Sequence, residues 1–385
     1  MTIAPRAEHL SVASVVSAAE RLLTRRTGAA VSLLDPQDLG GSERTIVLRV
    51  RMGDNPFSLP RTMVVKKVLD APQLGQQAGV STDEAFLREA VSYQFANSLP
   101  PGHRPGAVLV AHDVHERVLV LADLGGAQTL ADLLGGADPV AAQHGLLAWA
   151  RALGRMHAVT ADREGDFDTL LRRTGKPMLN DPMDTPARQA IAEVPGALQD
   201  VLGVSTCRQV VHRADRCTRL LGSRALRAFS PADLCPDNAL VTADGVQFLD
   251  YEWGGFRDIT LDATYALVPF PGCWCCPDIT ADHAELMVQA WRSEVVGVWP
   301  QLADDDVLRT RMFDAHLLWV WTSTYWFLPG RAVRREPSSA HPLATTPGRA
   351  LAIRWSRLAA SASAAGEEAT AEHARSVAHV LTLLR

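Results

Sequence analysis

The chain lacks the sequence features of several protein classes. No run in its 385 residues approaches the roughly 18 apolar residues of a membrane span, and residues 1–10 carry charges without the apolar segment of a signal peptide. The net charge of −5 leaves no excess of positive charge to hold a polyanion. We therefore expect a cytoplasmic protein that binds neither nucleic acid nor membrane, with a mild preference for cationic substrates.

Cysteine is also scarce, and its spacing does not fit a zinc site. Three of the six cysteines are Cys273, Cys275 and Cys276, which lack the two-residue separation and the second ligand pair of zinc ribbons and fingers. This pattern favours buried, reduced thiols over a metal site.

The amino-acid composition is typical of a globular protein, with 47% apolar and 21% charged residues. A length of 385 residues exceeds the roughly 250–300 that one hydrophobic core serves. We therefore expect two lobes.

The segment from Pro231 to Asn238 carries the strongest chemical signal. Phosphoryl transfer from ATP uses an acidic residue beside the attacking hydroxyl, an Asn on Mg²⁺, and a second Asp that bridges metal and phosphates. Asp233, Asn238 and Asp250 occur in that order. The strand-like run 245–249 predicts a short hairpin that returns Asp250 to this loop. An ordinary surface turn is the alternative, because Pro, Asp and Asn are common turn residues.

This segment resembles the catalytic and metal loops of the aminoglycoside phosphotransferase and choline kinase-like family, relatives of the protein kinases. That family usually has His-Gly-Asp where this chain has Pro231, Ala232 and Asp233. The family His braces the loop and does not transfer the phosphoryl group. We hypothesise that the fixed φ of Pro231 supplies part of this bracing.

The first lobe contains a glycine turn and a lysine strand in the order that the resemblance implies. Gly40, Gly41 and Ser42 precede a strand-like run, where glycines would let backbone N–H groups approach phosphate; an ordinary hairpin is the alternative. The next strand carries Lys66 and Lys67, which alternation places on opposite faces. The family pattern favours Lys66 as the phosphate-binding lysine, and a solvated strand-edge lysine is the alternative.

A helix follows, and the resemblance gives it a partner for Lys66. Residues 81–84 form a predicted capping box, and the resemblance implies that Glu89 pairs with Lys66. After two further strands, 107–111 and 117–121, the resemblance places a hinge at 122–126, where backbone groups hold adenine. Ala122 and Leu124 are assigned to adenine binding by position alone.

The second lobe is predicted to be helical. Asp138 and Pro139 form an N-terminal cap, and the following helix runs to about residue 158. Its His157 is interpreted as a packing and bracing residue. The resemblance implies that Asp258 and Asp262 tie the catalytic loop to the next helix.

Together these features predict an α+β, bilobal protein-kinase-like fold with an N-lobe at 1–121, a hinge at 122–126 and a helical C-lobe at 127–385. The resemblance implies an ATP- and Mg²⁺-dependent phosphotransferase acting on a small-molecule hydroxyl such as that of an aminoglycoside-like antibiotic, an amino alcohol or a sugar. A Ser/Thr kinase acting on a peptide precursor and a nucleotide-binding pseudokinase with a regulatory role are the alternatives. The residues assigned are catalytic Asp233, metal-binding Asn238 and Asp250, and nucleotide-binding Gly40, Gly41, Ser42, Lys66, Glu89, Ala122 and Leu124.

Overall fold

The structure is a computed structural model, and it describes residues 11–42, 44–54, 59–69, 81–175, 181–273, 275–330 and 343–383. The α-helices within these residues are α1 (Val12–Thr27), α2 (Thr82–Asn97), α3 (Leu130–Gly135), α4 (Pro139–Thr160), α5 (Glu164–Arg173), α6 (Asp184–Leu202), α7 (Arg208–Cys217), α8 (Ile259–Ala263), α9 (Ala281–Val295), α10 (Asp305–Phe327), α11 (Pro347–Ala364) and α12 (Glu368–Leu383). The strands are β1 (Leu33–Ser42), β2 (Thr45–Met52), β3 (Thr62–Val68), β4 (Leu109–Asp113), β5 (Val118–Ala122), β6 (Gln128–Thr129), β7 (Arg227–Ser230), β8 (Ala239–Thr242), β9 (Gly245–Phe248) and β10 (Gly255–Asp258).

The first five strands form one antiparallel sheet in the order β1-β2-β3-β5-β4. Side chains of a strand alternate between the two faces of a sheet. Val118 and Val120 accordingly belong to the hydrophobic core that contains α1, whereas Leu119 and Leu121 belong to the core that contains α2. The sheet therefore has α1 on one face and α2 on the other.

Helix α2 belongs to the core of the helical region as well as to the sheet. It begins with the predicted capping box, in which Ser81 and Glu84 bond reciprocally. Near its other end, the ring of Phe95 lies 5.4 Å from those of Phe229 and Phe256 and 5.7 Å from that of Phe167. Aromatic pairs at these distances are stabilising contacts. Helix α2 is thus packed against residues that follow the sheet in sequence, and this packing fixes the position of α2 relative to the helical region.

The helical region follows the sheet and is built around long buried helices. Asp138 caps α4 as predicted, accepting bonds from the N–H groups of Val140 and Ala141, and α4 packs against α9. Helix α10 buries Trp319, Trp321 and Trp326 in the core. None of the helices in the described ranges is long and apolar enough to cross a membrane.

The segment between α7 and α8 contains strands of two small sheets. Strands β6, β8 and β9 form one, and β7 pairs with β10 in the other. In the β8–β9 hairpin Ala239 pairs with Phe248, and the N–H of Leu249 donates to the carbonyl of Asn238 at 2.8 Å. The predicted hairpin is confirmed, and it brings Asp250 next to Asn238.

The observed order of a small antiparallel sheet followed by a large helical region confirms the predicted α+β fold of protein-kinase-like, bilobal type. The limits 1–121, 122–126 and 127–385 stay a prediction for the two lobes and the hinge.

Candidate functional site

Lys66 lies on β3 and faces α2. Its Nζ donates to Glu89 Oε1 at 2.8 Å and to Asp250 Oδ1 at 2.6 Å. Lys67 points the other way, where its Nζ bonds to the carbonyl and the carboxylate of Glu116. Strand alternation explains the difference. The ion pair predicted between Lys66 and Glu89 is therefore present, and Lys66 rather than Lys67 reaches the loop after β9.

The electrostatics of this contact keep Lys66 charged. Burial by itself lowers the pKa of Lys66, but the carboxylates of Asp250 and Glu89 outweigh it and raise that pKa well above its ordinary value. Burial raises the pKa of Glu89, and Lys66 opposes that increase. The result is a charged lysine held between Glu89 and Asp250.

Helix α2 also holds the loop that follows Asp250. The ring of Tyr251 stacks on that of Tyr93 with centroids 4.5 Å apart, and Arg88 Nη1 donates to the carbonyl of Gly254 at 3.1 Å. A Cβ at Gly254 would lie 2.2 Å from the Ser92 hydroxyl oxygen, so a larger residue there would have to displace Ser92 of α2. One helix therefore positions both Glu89 and the loop that carries Asp250.

Two residues that are not glycine have a left-handed backbone at the site. Ala232 has φ +62° and Asp250 has φ +59°. Such conformations cost about 1–3 kcal/mol each and persist where the surroundings impose them. Asp adopts this region more readily than Ala does. The backbone at Ala232 thus requires a positive φ, which glycine would adopt at a lower cost.

The loop before Asp233 is held by a chain of buried hydrogen bonds. The Ser230 hydroxyl donates to Asp262 Oδ1 at 2.9 Å and accepts the N–H of Ala232 at 3.0 Å. Asp262 Oδ2 lies 3.1 Å from His157 Nε2, and Trp291 Nε1 lies 3.0 Å from His157 Nδ1. An indole N–H can only donate, so Nδ1 accepts and Nε2 carries the proton given to Asp262. We call Trp291, His157, Asp262 and Ser230 the bracing network.

Two further side chains fix the same stretch of backbone. The Tyr265 hydroxyl donates to the carbonyl of Ala232 at 2.7 Å. Arg257 Nη1 donates to the carbonyl of Ser230 at 3.2 Å and to its hydroxyl at 3.1 Å, and the same guanidinium bonds Asp181 at 2.8 and 3.1 Å. These buried bonds do the bracing for which the similar family uses a His. Sequence reasoning missed Ser230, Tyr265 and Arg257 because their bonds to Asp262, Ala232 and Ser230 span 32, 33 and 27 residues.

The two acids predicted to tie the catalytic loop behave differently. Asp262 makes this contact through Ser230, as expected, and His157 has the predicted bracing role. The prediction for Asp258 is wrong. Its carboxylate caps α8, accepting from the N–H of Thr260 at 3.0 Å, and lies 3.4 Å from Arg311. Asp258 stands directly before the helix, so local capping satisfies it.

Asp233 and Asn238 lie on one loop beside Asp250. Asp233 is half-buried, and Asn238 Nδ2 donates to its carbonyl at 3.4 Å. Amide and carboxylate oxygens suit Mg²⁺, which is commonly held by one or two carboxylates together with substrate phosphates. Among the described residues no group of three or more His, Cys, Asp or Glu side chains is arranged to hold a metal ion. The side-chain oxygens of Asn238 and Asp250 are of the type that such a metal uses, and metal binding by these two residues stays a prediction.

Glu252 is an acid of the site that sequence reasoning missed. It lies two residues beyond Asp250 and accepts from Trp253 Nε1 at 3.0 Å. Burial raises the pKa of Glu252, the charge of Asp250 raises it further, and Lys66 lowers it. The Asp-x-Glu spacing was the available signal, since it places a second carboxylate near the first.

The predicted phosphate turn is the tip of the β1–β2 hairpin. Gly40 and Gly41 have φ +94° and +143°, and a Cβ at Gly41 would lie 2.3 Å from the carbonyl oxygen of Thr45. Ser42 pairs with Thr45 in the ladder, while its side chain lies outside the described part of the structure. The glycines are required by the backbone of the turn, and their contact with phosphate stays a prediction.

The predicted hinge begins at the last residue of β5. The N–H of Ala122 donates to the carbonyl of Val108 at 2.8 Å. Arg49 bonds Asp123 at 2.9 Å and the carbonyl of Gly125 at 2.9 Å. These bonds fix the segment on either side of Leu124, which is half-buried. Adenine binding by Ala122 and Leu124 stays a prediction.

Comparison with known proteins gives likenesses in structure only. No family model matches the chain, and no curated protein sequence matches it. An ethanolamine kinase of Plasmodium vivax is 10% identical with a TM-score of 0.48, covering 86% of this chain and 82% of its own. A choline/ethanolamine kinase family protein of Mesorhizobium loti is 15% identical with a TM-score of 0.43, covering 90% and 93%.

A thermostable mutant of an aminoglycoside phosphotransferase, in complex with ADP and hygromycin B, is 14% identical with a TM-score of 0.43, covering 94% of this chain and 97% of its own. All three identities are below 25% and all three TM-scores are below 0.5. The assignment of the site therefore rests on the contacts of Lys66, Glu89, Asp250 and the catalytic loop described above.

Proposed function

We propose that this protein transfers the γ-phosphoryl group of ATP to a hydroxyl of a small molecule. The observation that carries the proposal is the position of Lys66 Nζ, which bonds Glu89 and Asp250 at once. The β8–β9 hairpin joins Asp250 to Asn238, and Asn238 bonds the backbone of Asp233. Three separate segments of the chain thus supply a buried cation, the amide and carboxylate oxygens and a second acid, the groups that phosphoryl transfer uses, which supports the proposal.

On the nucleotide side, Lys66 would exchange its bond to Asp250 for bonds to the α- and β-phosphates. Glu89 would keep the ammonium in place, since it lies on the buried helix α2 and its side chain is 1% exposed. Asn238 and Asp250 would hold Mg²⁺, which neutralises charge on the phosphates when bound. Glu252 would add negative charge beside that position.

On the acceptor side, Asp233 would orient the hydroxyl and accept its proton late in the transfer. In a loose transition state the hydroxyl loses its proton only as the new bond to phosphorus forms, so positioning is the larger effect. The bracing network serves this role, because it fixes the backbone one residue before Asp233. The net charge of −5 favours an acceptor that carries positive charge.

The test is a screen for acceptor-dependent ADP release from Mg·ATP, with the product identified by a mass gain of one phosphoryl group. The panel holds amino alcohols, aminoglycosides and other hydroxylated antibiotics, and sugars. With an acceptor in hand, Asp233→Asn should keep nucleotide binding and lower turnover by roughly 10²–10⁴-fold, the scale of lost acid–base assistance. Asp237→Asn, which changes an exposed acid of the same loop, is the matched control and should stay near wild type.

Two results would contradict the proposal. If Asp233→Asn and Asp237→Asn turn over the acceptor equally well, Asp233 is not the acceptor-side residue. If ATP binds but no hydroxyl compound of the panel accepts a phosphoryl group, the proposed transfer to a small molecule is contradicted and a nucleotide-binding pseudokinase is favoured.

A further inference from the structure

A fully buried arginine of α11 holds a turn that the mechanism above does not use. Arg354 is 0% exposed, and its Nη1 donates to the Ser323 hydroxyl of α10 at 2.6 Å. Its Nη2 donates at 3.2, 2.9 and 2.6 Å to three carbonyls, which belong to Pro269, Phe270 and Cys273. A guanidinium is tolerated in the interior where its N–H groups are bonded. This one cation therefore joins α10 and α11 to residues 269–273, which we call the 269–273 turn.

The backbone of the 269–273 turn is strained. Phe270 has φ +43°, a conformation that costs about 1–3 kcal/mol in a residue other than glycine and persists where the surroundings impose it. Its ring lies in the core, with its centroid 5.9 Å from that of Trp149 and 6.1 Å from that of Tyr265. Its carbonyl is held by Arg354. The packing of the ring and the bond to the carbonyl together keep the turn in this one conformation.

The strained turn lies against Asp233. A Cβ on Gly272 would lie 3.3 Å from the Tyr265 hydroxyl oxygen and 4.0 Å from Asp233 Oδ1, so the backbone of Gly272 borders both groups. Tyr265 in turn donates to the carbonyl of Ala232, the residue before Asp233. Asp233 Oδ1 is buried, whereas the residue as a whole is half-buried. Of the two carboxylate oxygens of Asp233, Oδ2 is therefore the one that is left to face an acceptor.

We propose that Arg354 is a positioning residue for phosphoryl transfer, which acts through the 269–273 turn to hold the Asp233 carboxylate with Oδ2 toward the acceptor hydroxyl. The proposal rests on the phosphotransferase function proposed above. The χ2 torsion of an aspartate is soft and roughly two-fold, so its two oxygens exchange places easily unless a neighbour selects one orientation. Here the backbone of Gly272 borders Oδ1, and Arg354 fixes that backbone.

The first variant weakens the hold of Arg354 without removing its buried charge. Ser323→Ala takes away the partner of Arg354 Nη1, and should lower kcat by about 3- to 30-fold, less than the roughly 10²-fold of a 1 Å displacement. The KM for ATP should stay near wild type. The matched control is Thr322→Val on the same helix, where the lost hydroxyl bonds the carbonyl of Leu318 within α10. This control should keep both kcat and the KM for ATP.

Two further changes test the same contact from the arginine and from the turn. Arg354→Lys keeps a cation that can bond some of the carbonyls, so it should retain more of kcat than Arg354→Met does. Gly272→Ala presses a Cβ on the Tyr265 hydroxyl at 3.3 Å, and should lower kcat while leaving the KM for ATP near wild type. Its control is Gly297→Ala, at an exposed position where a Cβ meets open space. If Arg354→Met does not fold, Ser323→Ala and Gly272→Ala still decide the question.

A second measurement needs no acceptor. Amide hydrogen exchange, followed by mass spectrometry, compares Ser323→Ala with Thr322→Val in peptides that cover 230–238 and 269–273. We expect faster exchange in both segments for Ser323→Ala. The proposal is overturned if the two variants exchange alike in these segments, or if they exchange differently and yet have equal kcat. If exchange differs as expected while the wild type transfers no phosphoryl group to any acceptor, the hold of the turn on the catalytic loop stands and the proposed function fails.

Discussion

The catalytic loop is expected to hold the acceptor and the β1–β2 hairpin to contact phosphate, and the two are built in opposite ways. The loop before Asp233 is buried. Arg257 of β10 bonds its backbone at Ser230, and Asp262 of α8, itself held by His157 of α4, accepts from the Ser230 hydroxyl. The hairpin tip is exposed: Gly40, Gly41 and Leu39 all face solvent, with Leu39 40% exposed. The acceptor side is thus fixed in advance, whereas the phosphate side is left open for the nucleotide to complete.

We expect the largest effect from a substitution in the metal loop, which lies between the acceptor side and the phosphate side. Asp250→Ala should abolish the dependence of ATP binding on Mg²⁺, because the metal bridge to the phosphates loses its carboxylate. A thermal-shift titration with ATP, with and without Mg²⁺, measures this. Asp244→Ala, at an exposed position of the β8–β9 hairpin, should keep the Mg²⁺ dependence of wild type. A Mg²⁺ requirement that survives in Asp250→Ala would place the metal elsewhere.

The next prediction, for Ser230→Ala, tests whether hydrogen bonds hold the catalytic loop in place. Ser230→Ala removes the group that links Asp262 to the Ala232 N–H, and should lower kcat by about 10–100-fold with little change in the KM for ATP. Asp262→Asn combined with Ser230→Ala should cost little more than either change alone, since both cut one network.

Pro231→Gly tests the hypothesis that proline stiffness braces the same loop. Because hydrogen bonds hold both neighbours of Pro231, we expect Pro231→Gly to lower kcat less than Ser230→Ala does. The opposite order, measured on one acceptor, would show that the fixed φ of proline matters more than the network.

A smaller effect is expected at the hairpin. Gly41→Ala puts a Cβ against the carbonyl of Thr45 at φ +143°, and a strain of about 1 kcal/mol corresponds to a roughly 5-fold weaker ATP affinity. The change should appear in the KM for ATP and leave kcat near wild type. Gly40→Ala, where a Cβ meets open space, should have the milder effect. Equal values for both variants would mean that the hairpin does not contact the nucleotide.

The smallest predicted effect is on the pH dependence of protein stability, through the buried carboxyl group of Glu89, which pairs with Lys66. Burial raises the pKa of Glu89 from 4.5 to about 7. Between these values the folded protein binds the proton more tightly than the unfolded chain does, so the contribution of Glu89 to stability falls as pH rises. Glu89→Gln should therefore gain Tm relative to wild type, on the order of 2 °C, as pH rises through this range. A difference in Tm that does not change with pH would mean that Glu89 has an ordinary pKa.

Local sequence patterns predicted those parts of the site that depend on neighbours in the chain. The capping box at Ser81 and the cap at Asp138 are satisfied within three residues. The hairpin that carries Asp250 to Asn238 depends on two adjacent strands. The choice between Lys66 and Lys67 follows from the alternation of one strand. In each case the physical cause acts over a few residues, so the pattern is visible in the sequence.

The wrong prediction for Asp258 shows where reasoning from the sequence failed. The resemblance assigned it to the catalytic loop, but an Asp directly before a helix caps that helix. Glu252 was missed although its spacing from Asp250 was visible, because only burial beside Asp250 and Lys66 distinguishes it from a surface acid.

The sequence by itself determined the α+β order of elements, the caps, and the residue types available for phosphate, metal and hydroxyl. Tertiary structure alone decided which of these groups meet. Trp291 and His157 are 134 residues apart, and Ser230 and Asp262 are 32 apart, yet they form one buried chain. Each buried polar group must find a partner wherever packing provides one, and packing joins elements whose separation in sequence carries no signal.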